Sequence, residues 1–368
     1  MQHSSTRNDT FNDSKAAISM AITRLRVPLI IGVVLIHSNV PEVLNVWHNS
    51  TTGTPLWAAS AIDSISLLLN RTVTSVFFFI SGFLFFLNTN GFSFSQYKEK
   101  LRRRVTTLLV PYLLWNVIFF FLHSAKTLFA AVASGGATDL MALLLRFPTA
   151  FWNYDDFCPA DLPLWFVRDL MVVVLFAPLI HSLAKGWRAN IFIPLLFFWL
   201  WLLPQWRTIG INPQAFLYFS LGAAFSINRL SPIPKSKVII GLAALMLALI
   251  AAFCKPLFAS TLDEVVRLIA VSAMIIVGFG VFAHCYGGQS KNGKSFLSDK
   301  IFFMYAAHAI FAGTTVRLLG AAIPANTNAG MMTIYVLAPI ITLAATLLLH
   351  RFLKLLSPTL PNILNGKR

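Results

Sequence analysis

Long apolar runs separated by short polar or charged breaks fill most of this 368-residue chain. About 20 predominantly apolar residues are needed to cross the hydrocarbon core of a bilayer as a helix. On that criterion the pattern predicts ten helical spans, at 19–40, 70–90, 105–124, 163–184, 189–205, 211–228, 237–254, 264–285, 299–319 and 331–353. Two longer polar connections interrupt the series, at 41–69 and 125–162. The first turns amphipathic toward Ile65–Leu69, the pattern of a short helix lying at a membrane interface. The second holds Gly135-Gly136 and the run Trp152-Asn-Tyr-Asp155-Asp156-Phe-Cys-Pro159-Ala-Asp161. Acids mixed with aromatics there read either as a sugar-gripping surface or as an interfacial aromatic belt with solvated acids. No internal repeat or low-complexity segment is evident. The expected organisation is a cytoplasmic tail at 1–18, one transmembrane domain at 19–356 and a second cytoplasmic tail at 357–368.

Composition agrees with an all-α polytopic membrane protein. Hydrophobic residues make up 57% of the chain, Phe alone occurs 33 times, and only 11% of residues are charged. A soluble chain would carry about 25% charged residues. The formal charge of +16 first suggests nucleic acid as a partner, but its distribution excludes that reading. With the N-terminus in the cytoplasm, most of the 29 Lys and Arg fall on the inner side of the ten-span layout. This is positive-inside topology, and it puts both termini in the cytoplasm. The first 18 residues are polar and lack a signal-peptide pattern, so the first span is expected to be an uncleaved anchor. Cys158, Cys254 and Cys285 are too few and scattered for a disulfide framework or a metal site.

The chemistry-bearing residues stand out against the apolar background. Arg26 and His37 are eleven residues apart in the first span, about three helical turns, so they share one face roughly 16 Å apart along the axis. Imidazole titrates near neutral pH, so His37 is either a catalytic base or a buried neutral histidine bonded to a neighbouring helix. Arg26 is either a phosphate or pantetheine clamp or a residue snorkelling to the headgroups. The basic run from Lys98 to Arg104, with Lys100, Arg103 and Arg104, suits a polyphosphate such as coenzyme A or, equally, anionic lipid. Ser81-Gly82 follows a bulky aromatic run and serves either close helix packing or room for an extended ligand. Arg168 and Asp169 are adjacent, about 100° apart on a helix, so each is expected to find its partner elsewhere. Tyr305 and His308 share a face at i and i+3.

Taken together these pieces resemble the acyltransferase-3 family of integral-membrane acyltransferases, chiefly bacterial. The resemblance rests on Arg26-x10-His37, on Phe79-Ile-Ser81-Gly82-Phe-Leu, and on the basic loop running into Leu108-Leu-Val-Pro111-Tyr-Leu-Leu-Trp115. It rests also on Leu164-Trp165-Phe-Val-Arg168-Asp169-Leu and on Phe302-Phe-Met-Tyr305-Ala-Ala-His308. It implies a ten-helix enzyme of the bacterial inner membrane that moves an acyl group, commonly acetyl, from cytoplasmic acyl-CoA to a carbohydrate or lipid-linked glycan. On that resemblance His37 is the catalytic residue, as base or transient acyl carrier, and Arg26 supports the donor. Lys100, Arg103 and Arg104 bind its phosphates, and Trp165, Arg168, Asp169, Tyr305 and His308 contact substrate. Acetyl-CoA is then a substrate rather than a permanently bound cofactor, and no metal is expected. The family's Arg-x-x-Arg element is matched here by Lys100-x-x-Arg103, which carries the charge without the first guanidinium fork. An exporter or flippase of a polysaccharide or lipid-linked sugar, or a non-catalytic membrane scaffold, would carry the same span pattern.

Overall fold

The computed structural model describes residues 2–45, 56–87, 92–136, 139–202, 210–260, 262–286 and 299–366. The described residues are helical, without strands, apart from an isolated bridge between Asp155 and Cys158. Helix α1 runs Gln2–His37, and after a short break α2 covers Val40–Leu44. Helix α3 is Trp57–Phe86. Helix α4 (Phe94–Arg104) passes through a π-helical turn, Val105–Leu109, into α5 (Val110–Ala133). The short α6 (Leu140–Leu145) precedes α7 (Trp165–Leu175) and α8 (Ala177–Leu183). Then come α9 (Ala189–Leu202), α10 (Gln214–Ile227), α11 (Lys237–Ala252) and α12 (Cys254–Phe258). The chain closes with α13 (Asp263–Tyr286), α14 (Ile301–Ala322), α15 (Asn328–Leu356) and α16 (Leu360–Leu364).

Among the described residues, six stretches are long and apolar enough to cross a bilayer: Ser14–Leu44, Trp57–Phe86, Phe94–Ala133, Asp263–Cys285, Ile301–Ala322 and Asn328–Leu356. Helices α7 and α8, bent by 65° at their junction, make a seventh if counted as one broken span. Pro178 lies in the first turn of α8, where a residue without an N–H is tolerated but cannot continue the preceding helix. The other three expected spans fall on α9, α10 and α11, of 14, 14 and 16 residues. At 1.5 Å per residue these reach about 21–24 Å, less than the ~30 Å of a typical hydrocarbon core. By helix length, then, the described residues hold six or seven candidate spans and four shorter apolar helices, the fourth being Leu140–Phe151.

Helix α3 begins at Trp57 rather than near residue 70, so Ile65–Leu69 lies inside a bundled helix instead of an interfacial one. Hydropathy missed this half because Asp63, Asn70 and Arg71 interrupt it. Two of the three have partners from distant segments. Asp63 accepts from Asn39 (3.3 Å) and pairs with Lys255 (3.1 Å), and Arg71 pairs with Asp263 (2.8 Å). Paired charge is compatible with burial where isolated charge is not.

The tightest approach in the bundle joins α3 to α10. A Cβ added at Gly82 would lie 2.0 Å from the carbonyl oxygen of Phe219, and one at Gly222 would lie 2.0 Å from that of Phe79. The two backbones therefore touch through reciprocal glycines, the small-residue packing used where lipid supplies no hydrophobic drive between helices. Fully buried Phe79, Phe83, Phe219 and Phe279 pack around the contact. On the outside, Val238, Leu242, Leu245 and Leu249 form an exposed apolar stripe along α11, a surface suited to acyl chains. The close contact makes a direct prediction. Gly82→Ala must push α3 off α10, and overpacking of this kind costs about 1–3 kcal/mol. A melting temperature several degrees lower in detergent is expected, while Ser81→Ala, one position away, should leave it unchanged.

Candidate active site

Two imidazoles meet where α1 ends. His37 is the last residue of α1, half-buried, and its ring centroid lies 5.1 Å from that of His308 on α14, tilted by 51°. His308 is fully buried. Its Nδ1 sits 2.6 Å from the Tyr305 carbonyl oxygen, which only accepts, so Nδ1 carries the hydrogen. That fixes the neutral tautomer and leaves Nε2 a bare acceptor, with no hydrogen-bond partner among the described residues. The Tyr305 hydroxyl donates to the Pro163 carbonyl, tying α14 to the start of α7. The i, i+3 spacing of Tyr305 and His308 thus joins three helices at one point.

Below the histidine pair, on the side where α14 begins, lies a cavity of about 440 Å³. Arg26 and Ile30 of α1, Phe77 and Ser81 of α3, Phe166 of α7 and Tyr305 line it. The Arg26 side chain has no hydrogen-bond or ion-pair partner among the described residues, and the continuous helix from Arg26 to His37 leads from this cavity toward the histidines. Both uses of Ser81-Gly82 are realised at once. Glycine makes the helix contact, and serine, about 100° round the helix, faces the cavity.

The basic run is placed differently. Lys100 donates to the Phe85 carbonyl and lies 4.9 Å from the Phe85 ring centroid, with Arg104 at the same distance from that ring. Arg103 pairs with Glu99 on the exposed surface of α4. None of these three lines the Arg26 cavity, although Thr107 and Leu108, just beyond them, do.

A second cavity, of about 490 Å³, lies on another face of the first turns of α7 and is lined by Trp165, Arg168 and Asp169, with Arg71, Asp156, Gln214 and Arg267. Arg168 and Asp169 do not seek partners on other helices as their spacing suggests; they pair with each other, Nε to Oδ1, at 3.0 Å. The spacing rule concerns Cβ directions, whereas the guanidinium is long enough to fold back over its neighbour. Arg168 also donates to the carbonyls of Trp152 (2.8 Å), Phe157 (2.7 Å) and Gly210, and stacks over the Trp152 ring. The other Asp169 oxygen accepts from the Asn212 amide at 2.8 Å. Together the two residues clasp the loop 152–157, where Asp156 and Phe157 both hold left-handed backbone angles, against the 210–212 turn. Arg71 and Arg267, both pairing with Asp263, are contributors that a topology count treats only as charges. Their position within apolar segments was the available signal.

The two cavities share one stripe of α3. Asn70 and Thr74 face the second, Phe77 and Ser81 the first. Between them stands an aromatic wall: Phe166 lies 4.5 Å from Phe78, 5.7 Å from Phe77 and 6.2 Å from Tyr305 by ring centroids, and Trp165 lies 6.4 Å from Phe78.

Asp161, just ahead of α7, is fully buried, and neither carboxyl oxygen has a hydrogen-bond partner among the described residues. Only its backbone is held, its amide donating to Asn116 Oδ1 at 2.9 Å. Burial pushes its carboxyl well above the usual carboxylate range, so the acid stays neutral where a solvated one would ionise.

Residues 21–351 match the acyltransferase-3 family model, described as an acyltransferase domain. The chain is 24% identical over 373 residues to the succinoglycan biosynthesis protein ExoH of Rhizobium meliloti (strain 1021), covering 96% of this chain and 93% of that protein. No solved structure gives a significant match.

Asp161 yields a prediction whose sign is fixed. A carboxyl with a raised folded pKa contributes stability that is complete below its unfolded value and is lost as pH rises through the folded value. Melting temperature measured from about pH 4 to pH 8 should therefore fall in the wild type relative to Asp161→Asn, whose neutral amide has no such titration. Parallel curves for the two proteins would show that Asp161 is solvated.

Proposed function

The chain belongs to the acyltransferase-3 family, and from that membership we propose that it is a bacterial inner-membrane O-acyltransferase. In this reading it crosses the membrane ten times with both termini in the cytoplasm, α9, α10 and α11 serving as short spans. It takes acetyl from cytoplasmic acetyl-CoA and gives it to a hydroxyl of a cell-surface polysaccharide or lipid-linked glycan. Similarity to a protein named for succinoglycan biosynthesis supports the polysaccharide. The observation that carries the mechanism is the His37–His308 pair, standing along the α1 face above the Arg26 cavity.

The pantetheine arm enters beside Arg26, whose unpaired guanidinium meets donor phosphate at the inner end. The acceptor sugar lies in the cavity of Trp165 and Asp169, an aromatic face among polar groups. His37 removes the proton of the acceptor hydroxyl as the oxygen attacks the thioester carbonyl. In the reacting complex the two rings close up, so that His308 Nε2, unpartnered in the structure, receives the N–H of the His37 ring and holds it in the tautomer that takes the proton. The C–O bond forms, the C–S bond breaks, and the imidazolium returns the proton to the leaving thiolate as free coenzyme A. At the end of α1 the helix dipole presents its negative pole to that imidazolium. Lys100, Arg103 and Arg104 act in this scheme from the membrane surface, attracting the polyphosphate before it reaches Arg26. An aromatic wall between the cavities suits acyl transfer better than glycan export, since export needs a passage wide enough for sugar.

Three measurements on membranes supplied with radiolabelled acetyl-CoA test this reading. His37→Ala should reduce transfer to acceptor by about 10²–10⁴-fold, the usual contribution of a general base, and full activity in that variant would sink the mechanism. His308→Gln, which replaces the acceptor nitrogen with an amide, should fall about 10-fold or more in kcat. Phe166→Ala should open the wall to water and raise acceptor-independent release of coenzyme A several-fold, with acetate as the second product.

A further inference from the structure

A third cavity, of about 630 Å³, lies beside the N-terminal part of α1, against the α10–α11 connection and the end of α13. Among the described residues that line it, Arg229 and Lys235 are the charged ones, with the imidazole of His284 beside them, and none is acidic. Neither the Arg229 nor the Lys235 side chain has a hydrogen-bond or ion-pair partner among the described residues. His284 donates from Nδ1 to the Gly280 carbonyl at 2.9 Å, a bond that leaves Nε2 uncommitted. Apolar groups, among them Phe11 and Ile233, complete the lining.

Arg229 occupies an unusual place in the backbone. It follows α10 with φ at 53°, in the left-handed region. The amide of Leu230 reaches back to the Phe225 carbonyl at 2.7 Å and that of Arg229 to Ser226 at 3.2 Å. This is the helix-ending turn in which glycine is the easy residue, because its lack of a Cβ removes the strain. The turn is pinned from outside as well, since Asn228 donates to the Ala184 carbonyl and accepts from the Gly186 amide. A rigidly held arginine in the left-handed region, with no partner among the described residues and facing a cavity that also carries Lys235, is an arrangement suited to an anion.

This cavity is separate from the one that holds Arg26. Ala17, which lines this cavity, and Arg26, which lines the donor cavity, are nine residues apart on α1, two and a half turns, and so on opposite sides. Leu25, beside Arg26, packs on Gly278 of α13, so α13 stands on the side of the third cavity. We propose that Arg229, Lys235 and His284 form a separate binding site for a phosphate ester, the apolar groups beside them meeting the upper acyl chains of an anionic phospholipid. The same phosphate chemistry is offered by a soluble phosphate, and the test below separates the two sources.

The test uses the full chain in nanodiscs of phosphatidylcholine alone or with phosphatidylglycerol, read by melting temperature. The informative variant is Arg229→Gly, because glycine fits the left-handed turn and should fold at least as well in the neutral lipid. Lys235→Gln is the second variant. Phosphatidylglycerol should raise the wild-type melting temperature by several degrees, and either variant should lose most of that rise while melting normally in phosphatidylcholine. Inorganic phosphate titrated onto the neutral discs supplies the other arm. An Arg229-dependent rise with phosphatidylglycerol alone assigns a lipid headgroup, and one with inorganic phosphate assigns a soluble phosphate ester. If Arg229→Gly responds to both probes as the wild type does, there is no such site.

Discussion

Direct backbone contact between α3 and α10 at Gly82 and Gly222 governs much of the interior. It fixes the rotation of α3 about its own axis, because reciprocal contacts against carbonyl oxygens leave little room for the helix to turn. With that rotation set, Asn70, Thr74, Phe77 and Ser81 fall on one stripe toward α7, two to each of two cavities. Bilayer tails would not enforce such a setting, since they attract every apolar face alike. Small residues do so by permitting one approach and excluding others.

The interior handles polarity in two ways. Arg168, Asp169, Arg71, Arg267 and Asp263 are joined into pairs and clasps, so that buried charge is matched by opposite charge or by carbonyl dipoles. Arg26, Asp161 and Nε2 of His308 are left without protein partners among the described residues. Unmatched groups of that kind are costly in a low-dielectric interior. These three stand around α1, α14 and the head of α7, where the proposed function puts donor and acceptor.

Much of this arrangement is legible from residue spacing. The eleven-residue interval between Arg26 and His37 gives their shared face, and Tyr305-x-x-His308 gives the second imidazole. Spacing along one helix carries no information about which helix stands opposite, so the 5.1 Å approach of the two rings was not readable. Nor does charge density report direction: the basic run is conspicuous in sequence, yet Lys100 and Arg104 lie against Phe85 rather than in the Arg26 cavity. The start of α3 was obscured by Asp63 and Arg71, whose partners lie some 190 residues away along the chain. Adjacent Arg168 and Asp169 defeated a rule built on Cβ directions, because the guanidinium reaches back over its neighbour.

Lipid-exposed apolar helices of two lengths occur in this bundle. The span Asn328–Leu356 contains 29 residues, whereas α11 has 16. At 1.5 Å per residue that is roughly 43 Å against 24 Å. A bilayer surrounding both cannot be equally thick everywhere: it must thin, or tilt its chains, along the short edge, at fractions of a kcal/mol for each ångström of mismatch. The protein thereby imprints a dimple on its own membrane. Long, stiff lipids resist that deformation, and short or fluid ones accept it, so the molecule carries a built-in preference for the company it keeps.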